Sequence, residues 1–323
     1  MALPSNESGL DEDLSVRVDR MVNVLRAYFA AHPETHCLLA VDPGQRALRD
    51  RPQAGVLFSE QPVAAIKIDH DAFPVEHRPY LMELDLSTKV GVTLLSESVR
   101  LAFDDRDPER VAQGQGQRIG AWLASTVSAQ ALAAYWAQHV LQTDDLDRKC
   151  VLRFYDARAL SLIWPILSSG QQQVLLGPVI AWHALDASAR PCVYTAHRAL
   201  QSDLALTREQ WQSIHRHGFV NRALGLHMEA MERQPLPQEV ETAVASAARA
   251  DVWLVDPDDK VAFIGHALTW HPQFDRYPKV NQMLRQLSED DFYTGAISAL
   301  SLEEIAEIQS GSWLDEKTVS PDR

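Results

Sequence analysis

The histidines of this sequence come closest together at His215, His217 and His227, where a metal site would first be sought. Imidazole nitrogens bind zinc well, but the ligands must converge on one point. On a single helix, residues two positions apart point about 200° away from each other, because each residue advances the helix by ~100°. His215 and His217 therefore cannot chelate one ion without a break in the helix, and we predict no metal site.

A glycine-rich run, Gly114-Gln115-Gly116-Gln117-Arg118-Ile119-Gly120, superficially suggests a nucleotide-binding loop. Such loops follow a strand, and the phosphate-binding type ends in Gly-Lys-Ser/Thr. This run instead precedes a predicted strand and lacks that ending, so we interpret it as a flexible loop. The sequence also has no Gly-x-Ser-x-Gly, His-Glu-x-x-His or Cys-x-x-Cys motif. We predict neither a bound cofactor nor a catalytic residue.

Arg153 and Asp156 are a pair that could be taken for an acid and a base. An arginine is charged at any working pH, so it cannot be a general base. Asp156 stands where a helix N-cap is expected, because its carboxylate can accept the free N–H groups of a first helical turn. Arg153 or Arg158 could then pair with a carboxylate, or with carbonyl groups near a strand end. We interpret these residues as structural.

The pair lies in residues 149–160, which the sequence indicates to be a buried strand turning directly into a helix. Apolar and aromatic residues between Val151 and Tyr155 suit a packed strand. After Asp156, apolar residues recur at helical spacing until Pro165 stops the run. We expect this stretch to be the central strand around which the chain is arranged.

The same residues carry a resemblance to a known family. Arg153-Phe154-Tyr155-Asp156-Ala157-Arg158, followed by Leu176-Gly177-Pro178-Val179 and Trp182, resembles the core of the type VI secretion effector-adaptor (effector chaperone) family. The family pattern has Pro where Ala157 stands, a change of little weight because Pro is favoured but not required at the first helical position. Looser similarity extends the resemblance over about residues 36–185.

The resemblance implies a non-catalytic adaptor that stays in the bacterial cytoplasm. Such a protein binds a toxin effector, holds its N-terminal segment and hands it to the valine-glycine repeat spike protein of the secretion apparatus. The residues that match the family motif would be structural, with some of them possible partner contacts. They are Arg153, Phe154, Tyr155, Asp156, Arg158, Gly177, Pro178 and Trp182.

The first two thirds of the chain alternate irregularly between predicted strands and helices, which favours an α/β (α+β) lobe over residues 14–196. A helical stripe from Val18 to Phe29 precedes a strand at Cys37–Val41. Further strands are predicted near Pro79–Leu86, Ile119–Ser125 and Val179–His183, with helices between them.

The character of the chain changes after residue 196. Thr207-Arg208-Glu209-Gln210 is a capping box, and Pro237, Asp256-Pro257, Pro278 and Ser301 each mark a further helix start. We predict an all-helical C-terminal lobe at residues 197–310. The termini, residues 1–13 and 311–323, are predicted to be a disordered acidic tail and a polar tail.

Composition narrows the class of partner. The chain has 323 residues, 30 Lys and Arg against 44 Asp and Glu, and a formal net charge of −14. Nucleic-acid binding needs a basic footprint that this balance does not supply. The N-terminus lacks a signal-peptide pattern, no long apolar run indicates a membrane span, and the three cysteines imply no disulfide framework. We expect a cytoplasmic protein that binds neither nucleic acid nor membrane.

Two hypotheses follow from these observations. The first is the adaptor that the resemblance implies, with an apolar binding surface and no catalytic residue. The second is a small soluble enzyme with a site between the two lobes, where ligand pockets usually form. The sequence shows no convergent nucleophile, base or metal set, which favours the adaptor.

Overall fold

The computed structural model describes residues 13–43, 48, 58–70, 73–196, 203–288 and 291–314. The chain forms two compact units, Met1–Trp211 and Gln212–Arg323. Residues 1–12 and 315–323 of the two predicted tails lie outside the described residues, whereas residues 311–314 of the second tail are described and Trp313 is buried. The predicted boundary after residue 196 adjoins residues 197–202, which are also outside the described residues.

The first unit contains eight strands and six α-helices among the described residues. The strands are β1 (His36–Val41), β2 (Val63–Ala65), β3 (Tyr80–Glu83), β4 (Ile119–Ser125), β5 (Leu141–Thr143), β6 (Lys149–Val151), β7 (Val179–Leu185) and β8 (Pro191–Tyr194). The helices are α1 (Leu14–Ala31), α2 (Lys89–Asp104), α3 (Pro108–Ala112), α4 (Ala129–Trp136), α5 (Ala157–Ile163) and α6 (Ser169–Leu176).

Six of the strands form one antiparallel sheet in the order β2-β3-β1-β4-β7-β8. All seven residues of β4 are buried, which explains why this strand is almost uninterruptedly apolar in sequence. Helices cover both faces. On one face, Leu39, Met82 and Trp122 join a core with α1 and α2. On the other, Trp136 of α4 stacks on Trp182 of β7. This mixed α/β unit confirms the predicted fold class.

The prediction that a buried central strand runs through Val151–Tyr155 into the helix is wrong, whereas the helix predicted to follow Asp156 is confirmed as α5. Only Lys149–Val151 is a strand, and it pairs with β5 in a separate two-stranded sheet. Residues 152–156 have no regular structure, yet Leu152, Phe154 and Tyr155 are buried. Apolar residues in a buried turn give the same sequence pattern as a buried strand, so composition could not separate the two.

The second unit is helical throughout its described residues, as predicted. Its helices are α7 (Arg208–Met231, which begins in the first unit), α8 (Pro237–Trp253), α9 (Pro257–Thr269), α10 (Pro278–Gln286), α11 (Tyr293–Ile297) and α12 (Leu302–Ser310). The predicted helix starts at Pro237, Asp256-Pro257, Pro278 and Ser301 are confirmed, and two of them have side-chain caps. Asp256 accepts hydrogen bonds from the N–H groups of Asp258 and Asp259, and Ser301 forms a capping box with Glu304.

Three histidines are held in apolar surroundings inside these units. His183 of β7 lies edge-on to Tyr28, and His266 of α9 stacks on Trp270 with its Nδ1 2.6 Å from the Tyr293 hydroxyl. Burial lowers the pKa of His183, His217 and His266 to about 4. Each is therefore neutral in the folded protein at neutral pH.

Acidification should consequently destabilise the protein. An unfolded histidine titrates near pH 6.5, so below that pH the unfolded state binds more protons than the folded state does. Stability is then lost between about pH 6.5 and 4, by up to ~1.4 kcal/mol per pH unit for each histidine. Urea unfolding at pH 7.5, 6.0 and 5.0 measures this loss. The His183→Gln variant should lose less stability than the parent over the same pH range. An unchanged stability from pH 7.5 to 5.0 would contradict the assignment.

No helix among the described residues has both the length and the apolar character that crossing a membrane requires.

Candidate functional site

The motif residues lie where three strands of the main sheet end together. Val41 at the end of β1 pairs with Ile119 at the start of β4. Because β7 runs antiparallel to β4, Leu185, the last residue of β7, lies at the same end of the sheet. Asp42 and Asp186 follow β1 and β7 directly. We call the charged side chains here, namely Asp42, Arg106, Arg153, Asp156 and Arg158, the sheet-end cluster.

Arg153 connects the motif to the end of β1. Its Nη2 atom donates to Asp42 Oδ2 at 2.6 Å and lies 3.6 Å from Asp156 Oδ2. Both carboxylates are buried, whereas 38% of the Arg153 side chain is exposed. Arg153 is therefore the part of this ion-pair network that solvent reaches.

Two further arginines complete the sheet-end cluster. Arg158 is on the first turn of α5, and its Nη2 atom lies 3.6 Å from Asp156 Oδ2. Arg106, which follows α2 and is almost fully buried, donates from Nη2 to the carbonyl oxygens of Leu185 and Asp186 at 3.3 and 2.7 Å. The cluster thus joins the ends of β1 and β7 to the segments after α2 and before α5.

The pKa directions agree with this arrangement. Burial raises the pKa of the Asp156 carboxyl, but Arg158 and Arg153 outweigh it and hold the pKa below its usual range. Burial lowers the pKa of Arg153, but the neighbouring charges of Asp156 and Asp42 outweigh this effect and hold the pKa above its usual range. Burial, followed by the neighbouring charge of Arg158, lowers the pKa of Arg106 to about 10. At neutral pH Asp156, Arg153 and Arg106 are therefore charged, and the negative charge of Asp156 offsets the positive charges beside it.

A second buried ion pair lies beside the sheet-end cluster. Arg118 donates from Nη2 and Nε to Asp105 at 2.8 and 3.1 Å, and the Arg118 N–H also reaches Asp105 Oδ2 at 2.9 Å. The Arg118 carbonyl accepts from the Asp42 N–H at 2.8 Å, which brings the pair against the end of β1. Sequence reasoning assigned Arg118 to a flexible loop and missed this pair. The two residues are 13 positions apart, and Asp105 stands within the charged run Asp104–Asp107, so no local signal singles out this pair.

The aromatic residues of the motif form the adjoining core. Phe154 packs edge-on against Trp136 at 5.3 Å and against Trp182 at 6.3 Å, and the two tryptophans stack at 4.7 Å. All three are fully buried. The structure therefore brings Phe154 and Trp182, 28 residues apart in the sequence, into one aromatic cluster.

Gly177 and Pro178 end α6 and lead into β7. Gly177 has φ +55°, and a Cβ atom there would lie 2.2 Å from the Tyr135 ring, so both conformation and space require glycine. The Pro178 carbonyl accepts from the Thr126 N–H at 3.1 Å, just beyond β4. These two residues fix where β7 enters the sheet and lie apart from the charged groups.

Gly120 in β4 faces the motif at close range. A Cβ atom at this position would meet the Tyr155 carbonyl oxygen at 1.8 Å, which is far inside van der Waals contact. The backbone of the motif therefore packs directly on β4, and only glycine permits that approach.

Asp156 is the N-cap of α5, as predicted, because its carboxylate accepts from the Arg158 N–H at 3.0 Å. Asp156→Ala should lower the free energy of unfolding by about 0.5–2 kcal/mol through the cap alone. Asp156→Asn keeps a good cap and removes the charge, so the difference between the two variants separates capping from ion pairing. Urea unfolding measures both. An Asp156→Ala variant as stable as the parent would contradict the capping role.

The chemistry of this site is that of ion pairs and packing. The Asp42 and Asp156 carboxylates face guanidinium groups, the pKa of Asp156 is held below its usual range, and burial raises the pKa of the Tyr155 hydroxyl. His215, His217 and His227 lie elsewhere, on α7. His215 is exposed and His217 is buried, so they face different sides of that helix, as the spacing predicts.

Comparison with known proteins places part of this chain in context. No curated protein and no solved structure matches the sequence. Residues 69–174 match a protein family described as a domain of unknown function (DUF4123). The matched segment runs from before β3 into α6 and includes Arg153–Arg158, whereas Asp42, Gly177, Pro178 and Trp182 lie outside it.

Proposed function

We propose that this protein is a non-catalytic cytoplasmic adaptor that binds a type VI secretion toxin effector, through the effector's N-terminal region, and loads it onto the valine-glycine repeat spike protein. The observation that carries the proposal is the family match at residues 69–174, because it contains Arg153–Arg158, the first part of the pattern that resembles the effector adaptors.

The roles of the motif residues support an adaptor. Asp156 caps a helix, Phe154 and Trp182 fill a core, and Arg153 compensates buried carboxylates. These are the tasks of a scaffold that holds a binding surface in place. An adaptor gains affinity by burying partner surface, which needs no particular reactive side chain. The net charge of −14 favours partners with basic segments over nucleic acid.

The test is co-expression with a candidate toxin, chosen from the products of the genes that neighbour this one. We expect the chain to raise the soluble yield of the toxin and to elute with it from size-exclusion chromatography at moderate salt. Expression of the toxin alone is the control. If the toxin is equally soluble alone and elutes separately, and the purified chain instead turns over a small substrate, the adaptor proposal is wrong and an enzyme replaces it.

A further inference from the structure

A groove of about 830 Å³ lies in the first unit between the second half of α1 and the segment that follows β3. One wall is α1 with the residues that lead into β1, and the other is Glu83–Ser87. The volume is within the range of ligand-binding clefts, roughly 300–1,000 Å³. The α1 wall lies outside residues 69–174, and the Glu83–Ser87 wall lies inside them.

The groove has an apolar floor and a polar rim. Phe29, Cys37 and Leu84 line it and are buried, and the Leu84 N–H donates to the Cys37 carbonyl at 2.8 Å, which joins the floor across the two walls. Along α1 the lining residues Ala27 and Ala30 are exposed. A buried apolar centre within a solvated polar rim is the anatomy of protein interaction sites.

The rim is acidic. Glu34, Glu83 and Asp85 line the groove against one permanent cation, Arg26. Glu83 Oε1 lies 2.6 Å from His36 Nδ1, and both side chains remain well exposed, at 44% and 38%. Carboxylates that are this accessible can exchange water for a cationic side chain at small desolvation cost.

We propose that this groove binds a basic polypeptide segment of a partner protein, with lysine or arginine side chains at Glu34 and Glu83 and apolar side chains over Phe29 and Leu84. The charge of the rim selects against anionic ligands, and the exposed α1 wall leaves room for a chain to pass along the groove. Identifying this segment with part of the toxin effector rests on the proposed function.

The groove itself is tested with a defined probe. The peptide acetyl-Lys-Ala-Lys-Leu-Lys-Ala-Lys-amide, labelled with fluorescein, should bind the full chain saturably, and 0.5 M NaCl should abolish binding. Ala27→Trp fills the groove and Glu34→Lys reverses its charge, so each should raise the Kd at least fivefold. The matched controls are Val24→Trp, exposed on the same helix but outside the groove, and Glu229→Lys, exposed on α7.

The outcomes separate the two proposals. If the peptide does not bind, or if the groove variants and their controls lose affinity equally, the groove proposal is overturned. The same four variants are then measured against the purified toxin. Tenfold weaker toxin binding by Ala27→Trp and Glu34→Lys alone identifies the groove as the effector site. Toxin binding that none of the variants changes leaves the adaptor function intact but overturns the groove as its site, and no toxin binding by the parent chain overturns only the adaptor function.

Discussion

Arg118→Ala is expected to lower the free energy of unfolding by about 3–5 kcal/mol, because removing one partner of a buried ion pair leaves the other charge uncompensated. The side chains of Arg118 and Asp105 are 3% and 0% exposed, so bulk solvent does not reach this pair in the parent protein. The hydrogen bonds that Arg118 donates to Asp105 through Nη2 and Nε would be lost, whereas the one from the backbone N–H would remain.

The control is the double variant Arg118→Met/Asp105→Leu. Replacing both charges by apolar groups of similar volume is often neutral or stabilising, so this variant should be much closer in stability to the parent than either single variant. Urea unfolding monitored by tryptophan fluorescence gives all the values. A single variant that costs less than about 1 kcal/mol would mean that the pair is solvated and that it contributes as little as a surface salt bridge.

Trp182→Ala is expected to have an effect of similar size, about 3–5 kcal/mol, which is typical of a large aromatic residue deleted from a core. Trp182 is fully buried between Trp136 and Phe154, and the cavity would open between the sheet and α4. The loss of the 4.7 Å ring stack with Trp136 adds to the loss of buried apolar surface.

Trp182→Phe is the matched control for this cavity. The indole N–H of Trp182 has no hydrogen-bond partner among the described residues, so phenylalanine removes no hydrogen bond there and should cost only a fraction of the alanine variant's loss. Thermal and urea unfolding should show that stability falls in the order parent, Trp182→Phe, Trp182→Ala. If Trp182→Ala were as stable as the parent but bound the toxin weakly, Trp182 would be a partner contact and not a core residue.

Local signals predicted much of this fold. Helix starts at Asp156, Thr207, Asp256 and Ser301 were readable because an N-cap side chain satisfies N–H groups only two or three residues away. The strands Cys37–Val41 and Ile119–Ser125 were readable because their apolar residues are consecutive. Each of these features is decided by residues close together in the chain.

Features that depend on distant residues were not predictable in this way. Arg153 meets Asp42 across 111 positions, and the sequence indicated only that it could pair with some carboxylate. The buried turn at residues 152–156 has a strand's composition, and its true surroundings are set by Gly120, whose missing side chain admits the Tyr155 carbonyl. The acidic groove combines residues near positions 23–37 and 83–87, none of which forms a motif.

The central claim, that this chain connects an effector to the spike, is tested most directly by a capture experiment with three purified proteins. The spike protein is immobilised, and retention of the toxin is measured with and without this chain at equal concentrations. Our account predicts that the spike retains the toxin only when the chain is present, with all three proteins in the eluate. Equal retention of the toxin with and without the chain would contradict the adaptor function. It would also be contradicted if the spike retained the chain alone and the toxin alone but never both together.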